Sequence, residues 1–239
     1  MPCPTSRPTS RPMASLMPPR PFCGGPARLT ESQREAAREA AARRDREAVE
    51  AAMAGARAQL LARSGVPAAF REPAQAERGR LLANRLLSGE LRCAFVSGPV
   101  GRGKTDLACA VVLAAVGRNV SARFVGDAEM LAGIRSAADD QTDTQDAAVG
   151  RLVRVGLLAI DDLGKSRLTS WGAEQLWRVV DGRWREGRPT VVTTNLDAAG
   201  LGRWLWDASP TVAEPIMSRL SDRCELVTLD GPDRRRGRG

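Results

Sequence analysis

Eight consecutive residues, Gly98, Pro99, Val100, Gly101, Arg102, Gly103, Lys104 and Thr105, satisfy the pattern G-x-x-x-x-G-K-[ST]. They stand between an apolar run, CAFVS at 93–97, and a run of apolar helix formers at 106–116. Strand, glycine-rich turn and helix in that order make a phosphate-binding loop. The glycines let the backbone curl so that successive N–H groups converge on phosphate oxygens, whose charge also meets the positive end of the following helix. Lys104 is expected to reach the β and γ oxygens as a compact point charge, with the Thr105 hydroxyl offered to Mg²⁺. Lysine is otherwise scarce: of the 36 Lys and Arg residues, only Lys104 and Lys165 are lysines.

A second half-site lies downstream. The segment GLLAIDD at 156–162 reads as a buried strand ending in two carboxylates, and an acid at the carboxyl end of such a strand must face a charge to be tolerated. Asp161 is expected to hold Mg²⁺, and Asp162 to orient or deprotonate the attacking water. The segment TVVTTN at 190–195 is a further strand, ending in the polar Asn195. Between these motifs strand and helix patterns alternate, which predicts an α/β domain. ERGRLLANRLLSG is a helix, 120–125 a strand, and a short helix runs through Met130 and Ile134. DDQTDTQD at 139–146 is a loop. In the helix SWGAEQLWRVVDGRWREG, Ala173, Leu176, Trp177, Val180 and Trp184 share one stripe, which assigns the tryptophans to the core.

Composition removes many chemistries. The chain of 239 residues contains no His and no Tyr, so Ser-His-Asp and Cys-His catalysis, His-ligated metals and phenolic acid–base work are excluded. Five scattered cysteines, Cys3, Cys23, Cys93, Cys109 and Cys224, form no C-x-x-C pair and no disulfide framework. The longest apolar run, 108–116, is far short of the ~18–20 residues of a membrane span, and the opening residues carry no apolar leader core. A cytoplasmic protein with no membrane partner is expected. A net charge of +8 favours polyanion partners, although an arginine-rich composition also follows from codon bias.

Residues 1–28, rich in Pro, Arg, Ser and Gly, are expected to be a disordered tail. From Thr30 the text becomes a long run of strong helix formers, opened by a Thr30–Gln33 capping box and ending near Gly65. Its N-terminal half offers mostly Ala and charge, the pattern of a solvated arm or of a helix awaiting a partner. The division is therefore a tail (1–28), a partner-binding helix (29–64) and an ATPase domain (65–239).

The order of the motifs, with a strand ending in Asn beside the Asp-Asp strand, is the layout of the AAA+ branch of P-loop ATPases. More specifically, GVPAAF, GPVGRGKTDLA, LLAIDDLGKSRLTSW, RPTVVTTNL and EPIMSRLSDRC followed by GPDRR resemble bacterial and phage replicative helicase loaders of the DnaC/DnaI type, over about residues 65–236. The resemblance implies an AAA+ P-loop core with a parallel sheet, ATP and Mg²⁺ as cofactors, and residues 98–105 as Walker A. It implies Walker B at Asp161 and Asp162, and sensor 1 at Asn195. The arginine finger falls on Arg219, with Arg223 as rival, and a sensor-2-like arginine on Arg235, with Arg234 as rival. It also implies a hexameric replicative helicase as partner, single-stranded DNA contacted through Arg123, Arg135 and their neighbours, and a homo-oligomer with nucleotide at the subunit interfaces.

The chain departs from that pattern in places. Asp162 stands where most relatives carry Glu, about 1.5 Å longer, so slow or partner-dependent hydrolysis is expected. Asp106 replaces a frequent His, and Lys165 stands where relatives often have Ala. The cysteine-rich zinc module of many relatives is reduced to Cys3 and Cys23, so no zinc is expected. The leading reading is an ATP-dependent helicase loader. The alternatives are an IstB-type transposition helper ATPase and a non-hydrolysing, ATP-switched DNA-binding adaptor.

Overall fold

Residues 30–137 and 143–230 are described by a computed structural model of the chain. The expected tail (1–28), Cys3, Cys23, residues 139–142 of the acidic stretch, and the Arg234/Arg235 pair lie outside them. The chain divides into two units, Met1–Ala48 and Val49–Gly239.

Within the first unit the described residues form the opening turns of helix α1, which runs over Glu31–Arg63. The capping box is reciprocal: the Thr30 N–H donates to Gln33 Oε1 at 2.9 Å, and the Gln33 N–H donates to Thr30 Oγ1 at 3.3 Å. No residue of α1 is buried, as its run of Ala and charge requires.

The second unit carries a five-stranded, all-parallel sheet: β1 (Cys93–Ser97), β2 (Ala122–Gly126), β3 (Leu157–Asp161), β4 (Thr190–Thr194) and β5 (Cys224–Thr228), in the spatial order β2-β3-β4-β1-β5. Helices α2 (Ala76–Leu87), α3 (Lys104–Gly117), α4 (Asp127–Ser136), α5 (Gln145–Arg154), α6 (Ser170–Arg185), α7 (Ala198–Ala208) and α8 (Pro210–Ser221) make the crossovers and flanks. β3 and β4 are buried at every residue, as parallel strands covered on both faces are, with the apolar residues 157–160 and 191–192 filling the cores. Alternate side chains feed two cores. Phe95, Ile160 and Val192 pack with Leu176, Leu201 and Ile216 on one face, and Val96, Ala159 and Val191 pack with Leu107, Val111 and Leu82 on the other. The expected α/β P-loop architecture stands: β4 lies between the phosphate-loop strand β1 and the Asp-Asp strand β3. Among the described residues no helix is long and apolar enough to cross a membrane.

Several local expectations change. β3 stops at Asp161, so Asp162 lies on the turn beyond it. The last two residues of the acidic stretch, Gln145 and Asp146, open α5, whose N-terminus is capped by Thr144 accepting from the Ala147 N–H at 3.1 Å. The α6 stripe is corrected at one aromatic position, Trp184. Ala173, Leu176 and Val180 are buried and the half-buried Trp177 packs against the same core, whereas Trp184 is 36% exposed, its ring lying against Arg92 and Arg219.

Arg183 is 1% exposed, and among the described residues no carboxylate pairs with it. Its guanidinium donates to the carbonyls of Leu152, Val153, Val155 and Pro189 and to Thr190 Oγ1. It thereby ties the end of α5 to the entries of β3 and β4. Burial, more than the neighbouring Arg188, pushes its pKa down to about 9, which leaves it charged at neutral pH. Arg183→Met is expected to strand these carbonyls and lower unfolding stability by about 3 kcal/mol or more, read from urea denaturation. Arg183→Lys is expected to recover little, because an ammonium lacks the planar fork.

Candidate nucleotide-binding site

β1 delivers the chain into the glycine-rich loop, and α3 begins at Lys104. Gly98 has φ +142°, and a Cβ there would meet the Leu229 carbonyl oxygen at 2.4 Å. Gly103 caps α3 in the left-handed region at φ +87°. Both positions exclude a side chain for stated geometric reasons. Lys104 is 6% exposed, and its ammonium lies inside the curl, donating to the carbonyls of Gly98 at 2.7 Å and Pro99 at 2.9 Å. Arg102 Nε is buried without a hydrogen-bond partner. An unsatisfied donor at the mouth of a helix N-terminus fits an anionic ligand such as phosphate.

Asp161 ends β3 at 9% exposure. Its Oδ1 accepts from Thr193 Oγ1 at 2.5 Å and its Oδ2 from Thr105 Oγ1 at 3.1 Å. Burial raises its pKa; the Thr193 hydroxyl opposes that rise, the Asp162 carboxylate adds to it, and Thr105 and Lys104 oppose it more weakly. A hydroxyl and a carboxylate oxygen side by side are the hard donors that Mg²⁺ takes alongside phosphate oxygens, and one protein carboxylate suffices for that mode. Thr105 and Asp161 thus fit the ion.

Asp162 follows with φ +56°, unusual for a residue with a side chain. The strain is held by its N–H donating to Thr193 Oγ1 at 2.9 Å. The single Thr193 hydroxyl therefore sets the two aspartates relative to one another, a role the sequence reading did not assign. The sequence marks it only as one of three threonines, with Thr190 and Thr194, in a strand of five residues. The Asp162 carboxylate pairs with Lys165 Nζ at 2.9 Å, which raises the lysine's pKa above its ordinary value.

These groups open on one cleft of about 590 Å³, lined by Phe70, Val100, Lys104, Thr105, Asp162, Lys165 and Asn195 among others. Asn195, just past β4, and Asp162, just past β3, therefore share it with the phosphate loop. One wall of the cleft comes from the segment between the Ala68–Phe70 turn and α2, which Asp106 holds in place. The Asp106 carboxylate accepts from the Ala74 N–H at 3.1 Å and the Gln75 N–H at 3.0 Å, while Gln75 Nε2 donates to the Gly103 carbonyl at 2.8 Å. Asp106, on the loop helix α3, thus joins this wall to the helix.

Arg219 is absent from this cleft. It lies near the end of α8, its guanidinium between the rings of Trp177 and Trp184 at 5.0 and 4.9 Å, with Nε 3.3 Å from Asp181 Oδ1. Arg92, which precedes β1, reaches the same Trp184 ring and pairs with Asp222 at 3.4 Å. Arg219 is therefore at the N-terminal edge of the sheet and the phosphate loop at the C-terminal edge, separated by the length of β1, about 13 Å at ~3.3 Å per step. Arg223 is exposed at that same edge, with φ +48°. The two arginines named for DNA do not sit together in one patch of contacts: Arg123 donates to the Arg63 carbonyl at 3.1 Å, and Arg135 stacks 4.6 Å from the Trp171 ring.

Comparison with known proteins agrees with the fold. The family model described as IstB-like ATP binding protein matches residues 88–238. An ATP-binding protein of an insertion sequence in Mycobacterium tuberculosis is 29% identical over 142 residues, covering 59% of this chain and 55% of that protein. The chain thus spans about half the length of the curated relatives first matched. Among solved structures, DnaI is similar at a TM-score of 0.56 and 22% identity, over 72% of this chain and 93% of that one. The DnaC helicase loader is similar at 0.54 and 19%, over 64% and 87%.

Proposed function

The chain belongs to the IstB-like ATP-binding protein family, and from that premise we propose that it hydrolyses ATP as an oligomeric AAA+ switch acting on a partner at DNA. One observation carries the reading: the Thr105 hydroxyl meets the Asp161 carboxylate at 3.1 Å directly behind Lys104, with Asp162 one residue further on the same cleft. The loop N–H groups and Lys104 would bind the phosphates, and Phe70 and Ala74 would face the rest of the nucleotide. Thr105 and Asp161 would hold Mg²⁺, which supplies charge neutralisation at the β and γ oxygens. Asp162, angled by its Thr193 bond, would orient the attacking water, and Asn195 would align it. Arg219 cannot reach its own chain's cleft, which supports a finger acting on a neighbouring copy; Arg223 is the exposed rival at the same edge.

Delivery of a replicative hexameric helicase to single-stranded DNA is the first reading of the pathway, supported by the near-complete coverage of the DnaI and DnaC chains. The second reading, a transposition helper, is favoured by relatives named as insertion-sequence ATP-binding proteins. Helix α1 is the proposed grip on the partner. The fold sets where it is best cut: Leu60 and Leu61 pack on the core, and the Ser64 carbonyl accepts from the Phe124 N–H at 2.7 Å, so a truncation at 48 is preferable to one at 64. Capture from the native host by the full chain is expected to retain a helicase under the first reading and a transposase under the second. Loss of residues 1–48 is expected to remove that partner while ATP binding persists. Retained capture after truncation would sink the role of α1, and absence of ATP turnover with and without single-stranded DNA would leave the non-hydrolysing adaptor.

A further inference from the structure

Both lysines of a chain that otherwise uses arginine line the same cleft. Lys104 belongs to the phosphate loop. Lys165 comes from the turn after β3, where its N–H donates to the Asp162 carbonyl at 3.1 Å and fixes its backbone beside that residue. Its ammonium is 2.9 Å from Asp162 Oδ2, with 68% of the lysine side chain exposed and 32% of the aspartate's. An ion pair this exposed is weak, and the stem that carries it is flexible. Lysine also suits the position better than arginine, since a rotatable point charge can trade one anion for another where a planar fork would need a matched pair of oxygens.

The anion that would compete is set by the neighbours. Lys104, Thr105, Asp162 and Lys165 line one cleft, so a nucleoside triphosphate held by Lys104 and Thr105 would extend its terminal phosphate toward the Lys165–Asp162 pair, and a diphosphate would stop one phosphate short. We infer that Lys165 reads the terminal phosphate: its ammonium exchanges the Asp162 carboxylate for the γ-phosphate of a bound nucleoside triphosphate, leaving Asp162 unpaired beside it. The inference rests on the ATP reading of the cleft. It assigns Lys165 a direct contact with the nucleotide and couples triphosphate occupancy to the state of the water-orienting acid.

The test is calorimetric titration of the full chain, in Mg²⁺, with ADP and with the non-hydrolysable β,γ-imido analogue of ATP. Lys165→Ala is expected to weaken the analogue about tenfold, the worth of one charge-assisted hydrogen bond, while ADP affinity stays unchanged. Asp162→Asn is expected to tighten the analogue relative to ADP, because the competing carboxylate charge is gone. Equal losses for both nucleotides in Lys165→Ala, or no loss for the analogue, overturn the inference. A wild-type chain that binds neither nucleotide overturns the ATP reading instead. Unfolding midpoints of the variants, expected within error of wild type for so exposed a lysine, separate a binding effect from a folding one.

Discussion

Lys104→Ala is expected to weaken ATP binding by about 100-fold or more and to abolish turnover, since the side chain is the cation placed within the phosphate loop. Nucleotide affinity that survives the substitution would sink the ATPase reading. The fold is expected to survive, though not untouched: Lys104 is 6% exposed and its ammonium donates to two loop carbonyls. Removing it costs loop order as well as phosphate affinity. Lys104→Met, which keeps the aliphatic stem, separates the two, because loss of binding with an unchanged unfolding midpoint assigns the effect to the charge.

Arg219→Ala is expected to leave each cleft complete and nucleotide binding intact, while turnover falls by roughly 10³–10⁵, the cost of a lost finger in comparable sites. The shorter Asp162 compresses that range if the starting rate is low. The distance argument makes the prediction specific: an arginine at the N-terminal edge of the sheet lies away from its own chain's cleft, so a finger role for it requires a neighbouring copy. Mixing Arg219→Ala with Lys104→Ala protein should then restore part of the hydrolysis, as each intact cleft can meet an intact arginine. Wild-type turnover by Arg219→Ala would move the role to Arg223. A loss that mixing cannot rescue would place the effect in the stack of Trp177, Arg219 and Trp184 instead. That stack is also the reason Arg219 is held at this edge, with Asp181 opposing its charge.

How far the chain could be read without coordinates differed by residue. Local chemistry declares itself in the phosphate loop, in which glycine spacing, lysine and threonine lie close together, and in the run 157–160 of β3, in which burial on both faces leaves an apolar text. The Thr30–Gln33 capping box, three residues apart, was equally legible. β5 escaped notice because an edge strand with Glu225 and an exposed Leu226 shows no such run. Trp177 packs on the core as its place in the stripe implies, but Trp184 does not, because an indole fills a helix stripe equally well against a leucine or against a guanidinium. Asp106 and Thr193 carry no local mark of their roles, since the groups they bind lie about thirty residues away.

The amino-acid sequence by itself determined the phosphate loop, the alternation of strand and helix, and the identity of the paired carboxylates. Each of these rests on contacts between near neighbours or on the period of burial. Only the tertiary structure decided which groups face one another across strands. It brought Thr193 to both aspartates, Asp106 to the backbone of Ala74 and Gln75, five acceptors to the buried Arg183, and Arg219 to the edge away from the cleft of its own chain. These pairings join residues whose proximity is set by strand order and by the turn at Asp162, and a left-handed turn or a sheet order is a property of packing that no single stretch of residues carries.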